Sequence, residues 1–128
     1  MTVGQPLRRS VERGELLKRR TATFAVNIVH LFRELPRARE ARIIGNQLLR
    51  SGTSVGANYR SLLRARSRRE FIARAGVVVE EADESLFWLD LLVDLQIVSG
   101  ARVQPLRNEA DQFIAILVAA RSTARKRS

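Results

Sequence analysis

With 128 residues the chain is long enough for one domain with a buried core, and its 45% of hydrophobic residues excludes a disordered chain. The absence of cysteine excludes disulfides, thiolate catalysis and cysteine-type zinc sites, and no apolar run approaches the ~20 residues of a membrane helix. The formal charge of +10, from 23 basic and 13 acidic residues, favours a polyanionic partner, most often nucleic acid.

The arginine content leaves a second explanation of this charge open. Arginine supplies 21 of the 23 basic residues, and such a bias also arises from genomic base composition, with side chains that are merely solvated. The N-terminal residues carry charges but no uninterrupted apolar segment, so they do not predict a secretory signal. We therefore expect a cytoplasmic protein that does not bind a membrane.

Helices 1 and 2 are predicted from apolar residues that recur with a period of 3.6. Helix 1 is predicted over about 12–35, where Leu35 precedes a proline and ends the helix. Helix 2 is predicted over about 38–66. Its core positions fall within a narrow arc and comprise Ile44, Leu48, Ser51, Val55, Tyr59 and Leu62.

Helices 3 and 4 carry terminus signals as well as periodicity. Ser67 and Glu70 have the spacing of a capping box, in which the hydroxyl and the carboxylate accept from each other's backbone N–H groups. Helix 3 is expected to end at Ser99-Gly100, with the glycine as the C-cap. Pro105, a favourable first-turn residue, predicts the start of helix 4.

These elements predict a single all-α domain over 1–128, an antiparallel up-down four-helix bundle. Short connections join helices of roughly 20 to 30 residues, and no linker or internal repeat divides the chain. The ends, about 1–11 and the basic segment 122–128, are predicted to be flexible.

The segment 51–58, SGTSVGAN, has the composition of a loop but lies within the periodicity of helix 2. A phosphate-binding loop would need a preceding strand and usually a Gly-Lys-Ser/Thr ending, and neither is present. As a helix, the segment aligns Gly45, Gly52 and Gly56 on one stripe, which allows close helix packing. Asn58 lies at the edge of the core, and we expect its amide to link neighbouring helices or chains.

Residues 47–92 resemble the four-helix-bundle family of proteins encoded by intervening sequences in large-subunit ribosomal RNA, which includes the accessory variability determinant of diversity-generating retroelements. The residues that carry the resemblance are Gln47, Leu48, Arg50, Ser54, Val55, Ala57, Asn58, Ser67, Glu70, Phe71, Glu81, Glu84 and Leu89. The resemblance implies a bundle that assembles into a homopentameric ring with a basic surface. In the retroelement members that assembly binds nucleic acid and a reverse transcriptase. Ser61-Leu62 departs from the Glu-Ala of many relatives, which makes the local surface more basic and more apolar.

Helix 3 has more apolar surface than the core of one bundle can bury. Beyond its core stripe it carries Phe87, Trp88, Leu91 and Leu95, which point away from Phe71 and Leu89. A second apolar face predicts contact with another chain, and aromatic residues are typical anchors of such interfaces. We therefore predict a homo-oligomeric ring. The alternative is that the tryptophan packs at a helix crossing within one subunit.

The charges are segregated along the chain. Seven of the thirteen acids lie between Glu70 and Asp94, and this acidic part of helix 3 would orient subunits by facing a neighbour's arginines. The remaining arginines form the candidate nucleic-acid-binding surface, which would contact phosphates rather than bases. Its residues are Arg42, Arg50, Arg60, Arg64, Arg66, Arg68, Arg69 and Arg74. The alternative is that these arginines pair only with acids and water.

No motif in the chain predicts catalysis. His30 is the only histidine, so neither the Glu-x-x-His pairs of bundle metal sites nor a serine–histidine pair is indicated. We predict a non-enzyme without cofactor or metal: an oligomer that binds RNA or DNA and is accessory to a reverse transcriptase or mobile element. The alternative function is an oligomeric scaffold that docks an acidic protein partner. An enzyme would instead need a pocket with perturbed carboxylates.

Overall fold

The computed structural model describes the backbone of residues 4–127 and the side chains from residue 8 onward. Within that range the chain forms four helices and no strand: α1 (Gly4–Glu34), α2 (Arg39–Leu63), α3 (Arg68–Asp94) and α4 (Gly100–Lys126). The all-α prediction is confirmed. No helix in the described range is both long and apolar enough to span a membrane.

The first and last helices extend further than the apolar periodicity predicted. Helix α1 begins at Gly4 and α4 continues to Lys126, so the segments 4–11 and 122–126, which were predicted to be flexible, are helical. Both segments contain good helix formers, arginine in 4–11 and alanine, arginine and lysine in 122–126, although they carry little apolar pattern. The predicted flexibility of residues 1–3 and 128 falls outside the described residues.

The end of α3 differs from the prediction. The helix stops at Asp94, and the next turn closes as a Schellman motif, in which the N–H of Ile97 donates to the Leu92 carbonyl at 3.0 Å. Gln96 occupies the left-handed position of this motif, with φ of 59°. Glycine usually fills that position, so the sequence signal for a helix end was absent here.

Ser99 and Gly100 begin α4 instead of ending α3. Ser99 is the N-cap of α4, and its hydroxyl accepts a hydrogen bond from the N–H of Arg102 at 3.1 Å. Pro105 consequently lies in the interior of α4 rather than in its first turn. The predicted start of helix 4 at Pro105 is therefore wrong by about one and a half turns.

The N-terminus of α3 has one of the two bonds of the predicted capping box. The Ser67 hydroxyl accepts from the N–H of Glu70 at 3.0 Å, which confirms the N-cap. The Glu70 carboxylate accepts from the N–H of Arg66 at 3.4 Å, one residue before the predicted donor. Arg74 donates to the same carboxylate at 3.0 Å, and this bond lowers the pKa of Glu70.

One hydrophobic core joins all four helices. Phe24 of α1 and Phe113 of α4 are almost fully buried and meet edge to face, with ring centroids 5.5 Å apart. Every core position predicted on α2 is buried, including Ser51. The 3.6-residue periodicity therefore identified the buried face correctly.

Three glycines of α2 set its distance from α1. A Cβ on Gly45 would lie 2.6 Å from Leu35, one on Gly52 would lie 2.8 Å from Ile28, and one on Gly56 would lie 3.2 Å from the Thr21 carbonyl oxygen. Residue numbers along α1 therefore fall as those along α2 rise. The glycine stripe packs two helices of the same chain together.

Helices α1 and α4 meet in one half of their length and diverge in the other. Glu34 bonds to Arg102, Phe24 contacts Phe113, and Arg20 bonds to Glu109. Beyond Arg20, the start of α1 and the end of α4 flank an open groove of about 1030 Å³, with α2 and α3 at its floor. We call this cleft the α1–α4 groove. Its large apolar side chains are Leu16, Leu17, Leu62, Leu63, Phe71, Ile116 and Leu117.

Candidate nucleic-acid interface

The connection between α2 and α3 concentrates positive charge. Helix α2 ends at Leu63, where the N–H of Arg64 donates to the Ser61 carbonyl at 3.1 Å, and α3 begins after the Ser67 cap. Because the connection is short, the last turn of α2 and the first turn of α3 lie close together. We call the exposed arginines of this region the turn arginines: Arg60, Arg64, Arg66, Arg68 and Arg69.

Most of the turn arginines direct their charge to solvent. The guanidinium of Arg68 donates to the backbone carbonyl of Arg127, and the charge of Arg66 acts on the Glu70 carboxylate and helps to lower its pKa. The neighbouring carboxylate of Glu70 is occupied by Arg74. The guanidinium groups of Arg60, Arg64 and Arg69 are therefore available to an external anion.

Two predicted binding residues already have carboxylate partners inside the chain. Arg50 forms ion pairs with Glu81, at 3.4 Å, and with Glu84, which tie α2 to α3. Arg74 donates to Glu70 and to the Ser61 hydroxyl. For these two arginines the geometry matches the alternative interpretation, in which arginines pair with acids of the same chain.

Arg42 lies far from the turn arginines. It occupies the first turn of α2, about 27 Å from Arg60 along the helix axis at 1.5 Å per residue. Its side chain is exposed at the end of the molecule that carries the α1–α2 connection. The eight predicted arginines therefore do not form one surface, whereas the five turn arginines do.

The structure brings further arginines to this end that the sequence analysis did not assign. Arg127 meets Arg68, and the guanidinium of Arg121 lies 3.4 Å from the place of a Cβ on Gly76. Arg13 of α1 lines the α1–α4 groove together with Arg68 and Arg127. A signal existed, because an up-down arrangement of four helices puts both chain ends beside the second connection.

The four residues predicted as an oligomer interface on α3 divide into two pairs. Phe87 is 57% exposed and Leu95 is 50% exposed, whereas Trp88 and Leu91 are partly buried and pack against the core. The indole N–H of Trp88 donates to the Glu84 carboxylate at 3.1 Å. Trp88 thus packs mainly within its own chain, as the alternative interpretation expected, while Phe87 and Leu95 stay on the surface.

The acids of α3 are only partly available for contact with a neighbour. Glu81 and Glu84 pair with Arg50, and Asp90 accepts two hydrogen bonds from Arg107 of α4, at 2.6 and 2.8 Å, which lower the pKa of Asp90. Three exposed carboxylates of α3 have no partner among the described residues, namely Glu80, Asp83 and Asp94. The predicted acidic contact surface is therefore smaller than the sequence indicated.

These three carboxylates share one side of α3 with Phe87, which is exposed, and with Leu91, which is partly buried against the core. Positions three and four apart lie on the same side of a helix, and Glu80, Asp83, Phe87, Leu91 and Asp94 follow that spacing. Leu95 lies beside Leu91 at the end of the row. We call these six residues the outer face of α3.

The polar link between helices lies at Ser51 rather than at Asn58. The Asn58 amide donates to the Ser54 carbonyl of its own helix at 2.9 Å, so within the chain it joins no second helix. Ser51 and Ser85 are fully buried, and their hydroxyl oxygens lie 3.0 Å apart between α2 and α3. The signal for this bond was a serine in the middle of the core arc of α2.

The described residues offer no obvious site for metal chemistry. No group of three or more His, Asp or Glu side chains in this range could hold a metal ion. His30 is exposed on α1. The described lining of the α1–α4 groove contains neither a carboxylate nor a histidine.

Comparison with known proteins places the chain in a family. A family model for the 23S rRNA-intervening sequence protein matches residues 17–119. The chain belongs to this family. A crystal structure of a protein of unknown function, from the S23 ribosomal protein family of Bacteroides thetaiotaomicron, is 30% identical with a TM-score of 0.78. The alignment covers 85% of this chain and 97% of that one. No match was found among curated proteins.

The family match covers α2 and α3 completely and most of α1 and α4, and it includes every turn arginine. It confirms the ribosomal-RNA intervening-sequence part of the predicted resemblance. The relation to the accessory protein of diversity-generating retroelements stays a prediction, as do the pentameric state and the reverse transcriptase partner.

Proposed function

We propose that this member of the family is a non-enzymatic, homo-oligomeric protein that binds nucleic acid through phosphate contacts. The turn arginines outside the α1–α4 groove, namely Arg60, Arg64, Arg66 and Arg69, form the binding surface. The observation that carries the proposal is that the exposed guanidinium groups of Arg60, Arg64 and Arg69, at one end of the molecule, have no carboxylate partner in the described chain.

The chemistry of the turn arginines suits phosphates better than base edges. The side chains are exposed around the short connection between two helices. Guanidinium groups in such a position neutralise phosphates and release counterions, which makes binding tolerant of sequence and sensitive to salt. We expect RNA and DNA of unrelated sequence to bind with similar affinity.

The arrangement of the chain supports an antiparallel up-down four-helix bundle as the unit of assembly. Contacts along α1 and α2 run in opposite chain order, and α1 meets α4 through Glu34 and Arg102 at one end. The exposed Phe87 and Leu95 support self-association. We propose a closed ring, a pentamer by analogy with the predicted relatives, and a cytoplasmic role beside a reverse transcriptase.

The test compares two triple variants with the same loss of charge. Arg60, Arg64 and Arg69 are changed to alanine in one, and Arg37, Arg39 and Arg42, at the opposite end, are changed in the other. Binding of fluorescent RNA and DNA of random sequence is measured by anisotropy between 50 and 300 mM salt. We expect the first variant to reduce the slope of log affinity against log salt by about 2 to 3, at 0.7 to 0.9 per lost contact, and the second to leave it close to wild type.

Two outcomes would contradict the proposal. One is equal weakening by both triple variants, since that would indicate a response to net charge alone. The other is binding that barely changes with salt. A protein partner that is captured after nuclease treatment, and lost with the turn-arginine variant, would favour the alternative of a scaffold for an acidic protein.

A further inference from the structure

The α1–α4 groove exposes large apolar side chains in a chain that otherwise buries its core. Leu16 is 48% exposed, Leu63 is 42% exposed and Ile116 is 41% exposed, and all three line the groove. They stand on three different helices, so they surround an elongated cleft rather than a flat patch. Apolar side chains gathered in this way mark a site for another apolar surface.

The groove carries charge of one sign. Arg13, Arg68 and Arg127 lie along it, and no carboxylate is found in the part of its lining that the structure describes. Arg20 closes the inner end, where its charge is balanced by Glu109. A surface that fits this groove must therefore supply aliphatic or aromatic groups with carboxylates beside them.

The outer face of α3 has the complementary chemistry. Phe87 and Leu91 stand in the middle, with the unpaired carboxylates of Asp83 and Asp94 on either side. Asp83 and Asp94 are 11 positions apart, which is about 16 Å along the helix, and the α1 segment that lines the groove, residues 10–20, spans about 15 Å. The length, the apolar content and the sign of charge all match.

We propose that the α1–α4 groove of one copy receives the outer face of α3 of a second copy. This inference rests on the self-association in the proposed function and names the two surfaces that meet. Because the groove and the outer face of α3 are different surfaces, the contact is head-to-tail and leaves one surface free at each end. Such a contact repeats until a ring closes, which a contact between identical surfaces cannot do.

The test uses two single variants that each remove one surface. Phe87→Asp places a carboxylate in the apolar centre of the outer face, and Ile116→Asp places one in the groove. Both positions are exposed, so both variants should fold, and circular dichroism with thermal unfolding checks this. Ile43→Asp, at a position that is 55% exposed and belongs to neither surface, is the matched control.

Mass is measured by light scattering on a sizing column for each variant and for mixtures. We expect Phe87→Asp and Ile116→Asp each to weaken self-association at least about thirtyfold, because central anchors carry most of the binding energy. An equimolar mixture should form a dimer and nothing larger, since each variant keeps the surface that the other lacks. The Ile43→Asp variant should assemble as wild type does.

Other outcomes overturn the inference in distinguishable ways. If both variants keep the wild-type mass, these surfaces do not meet, while self-association itself stands and another occupant fills the groove. If each variant dissociates but the mixture forms no dimer, then the groove does not bind the outer face of α3. In that case each surface pairs with the same surface of a second copy. A monomeric wild-type chain would end both this inference and the oligomeric part of the proposed function, whereas the salt-dependence test of the turn arginines is independent of all three.

Discussion

Gly52 holds α2 close to α1 because the side chain that faces it cannot move aside. A Cβ at this position would lie 2.8 and 2.9 Å from two carbons of Ile28, which is fully buried and stiff at its branched Cβ. Glycine at this position lowers the intrinsic stability of α2, but it allows α1 and α2 to pack at a short distance.

We predict that Gly52→Ala destabilises the protein although alanine is the better helix former. Overpacking costs about 1 to 3 kcal/mol, which exceeds the gain of about 1 kcal/mol in helix propensity. The matched control is Gly76→Ala, where the nearest atom is the flexible end of Arg121 at 3.4 Å, and a gain of about 0.5 to 1 kcal/mol is expected. Urea unfolding measures both, and a stabilised Gly52→Ala would contradict the close-packing argument.

Gln96 pays a conformational cost at the end of α3, because a left-handed backbone is unfavourable for a residue with a side chain. We predict that Gln96→Gly stabilises the chain by about 0.5 to 1 kcal/mol, seen as a higher urea midpoint. Gln47→Gly, in the exposed interior of α2, is the control and should lose about 1 kcal/mol. Equal losses in both variants would show that the left-handed turn carries no strain.

At this scale the sequence predicted which residues are buried better than what they bond. The core arc of α2 is correct at every position, including Ser51, because burial follows the helical period. The expected role of Asn58 was wrong within the chain, since its amide reaches the Ser54 carbonyl first. A side-chain hydrogen bond to the preceding turn competes with any hydrogen bond to another helix. The apolar periodicity predicts which positions are buried, but it does not predict which of these hydrogen bonds forms.

At the scale of the helix, α4 contains a proline that interrupts its bonding. Pro105 lies in the second turn, where its nitrogen cannot donate to the carbonyl of Ala101 and its ring crowds that carbonyl. The Ser99 cap nevertheless starts the helix five residues earlier, so the cap and the surrounding core outweigh the proline.

We predict that Pro105→Ala stabilises the chain by about 1 to 3 kcal/mol, because it restores one hydrogen bond and relieves the crowding. The control is Pro36→Ala in the connection between α1 and α2, which should lose up to about 1 kcal/mol through a more flexible unfolded chain. The free energy of unfolding in urea decides. A destabilised Pro105→Ala would mean that the proline has a favourable packing role.

The boundary between α3 and α4 shows how one missing sequence signal can displace the neighbouring boundary assignments. A Schellman turn with glutamine in the glycine position hid the end of α3, and the nearby Ser99-Gly100 then resembled that missing end. Pro105 next resembled a first-turn residue, so one unusual residue displaced three assignments. The existence and type of each helix were nevertheless predictable, because they depend on many apolar positions rather than on one.

For the whole molecule, the contact between α1 and α4 includes an ion pair that responds to pH. Arg102 donates two hydrogen bonds to Glu34, at 2.9 and 2.6 Å, and these bonds lower the pKa of Glu34 in the folded state. A lowered folded pKa stabilises the fold above the unfolded value of about 4.3, and this stabilisation is lost as pH falls through the folded pKa.

We predict that wild type loses more stability between pH 5 and pH 3 than Glu34→Gln does. The variant has no carboxylate at this position, so its stability changes less over that window. Glu12→Gln, which removes an exposed acid from the same helix, should follow the wild-type profile. Urea midpoints at several pH values test this, and parallel profiles for wild type and Glu34→Gln would contradict it.

The basic surface and the α1–α4 groove were only partly predictable from the sequence. The turn arginines were found because they are close together in the chain. Arg13 and Arg127 were missed because they join that surface only when the folded bundle brings both chain ends to the α2–α3 connection, which no local pattern records. The groove was missed for a related reason. Apolar residues in α1 and α4 predict that these helices are packed, but they do not show where along their length the two helices diverge.

Because α1 and α4 diverge beyond Arg20, the two ends of the molecule should differ in local stability. No side chain of residues 8–16 or 118–126 is buried, so their backbone amides are expected to open in a local fluctuation, while amides between Phe24 and Leu31 are expected to open only when the molecule unfolds. Backbone amides beside the α1–α4 groove should therefore exchange faster than those at the opposite end of the molecule. Occupation of the groove would abolish that difference, so protection factors at Leu16 and Val118 report on assembly without any change in sequence.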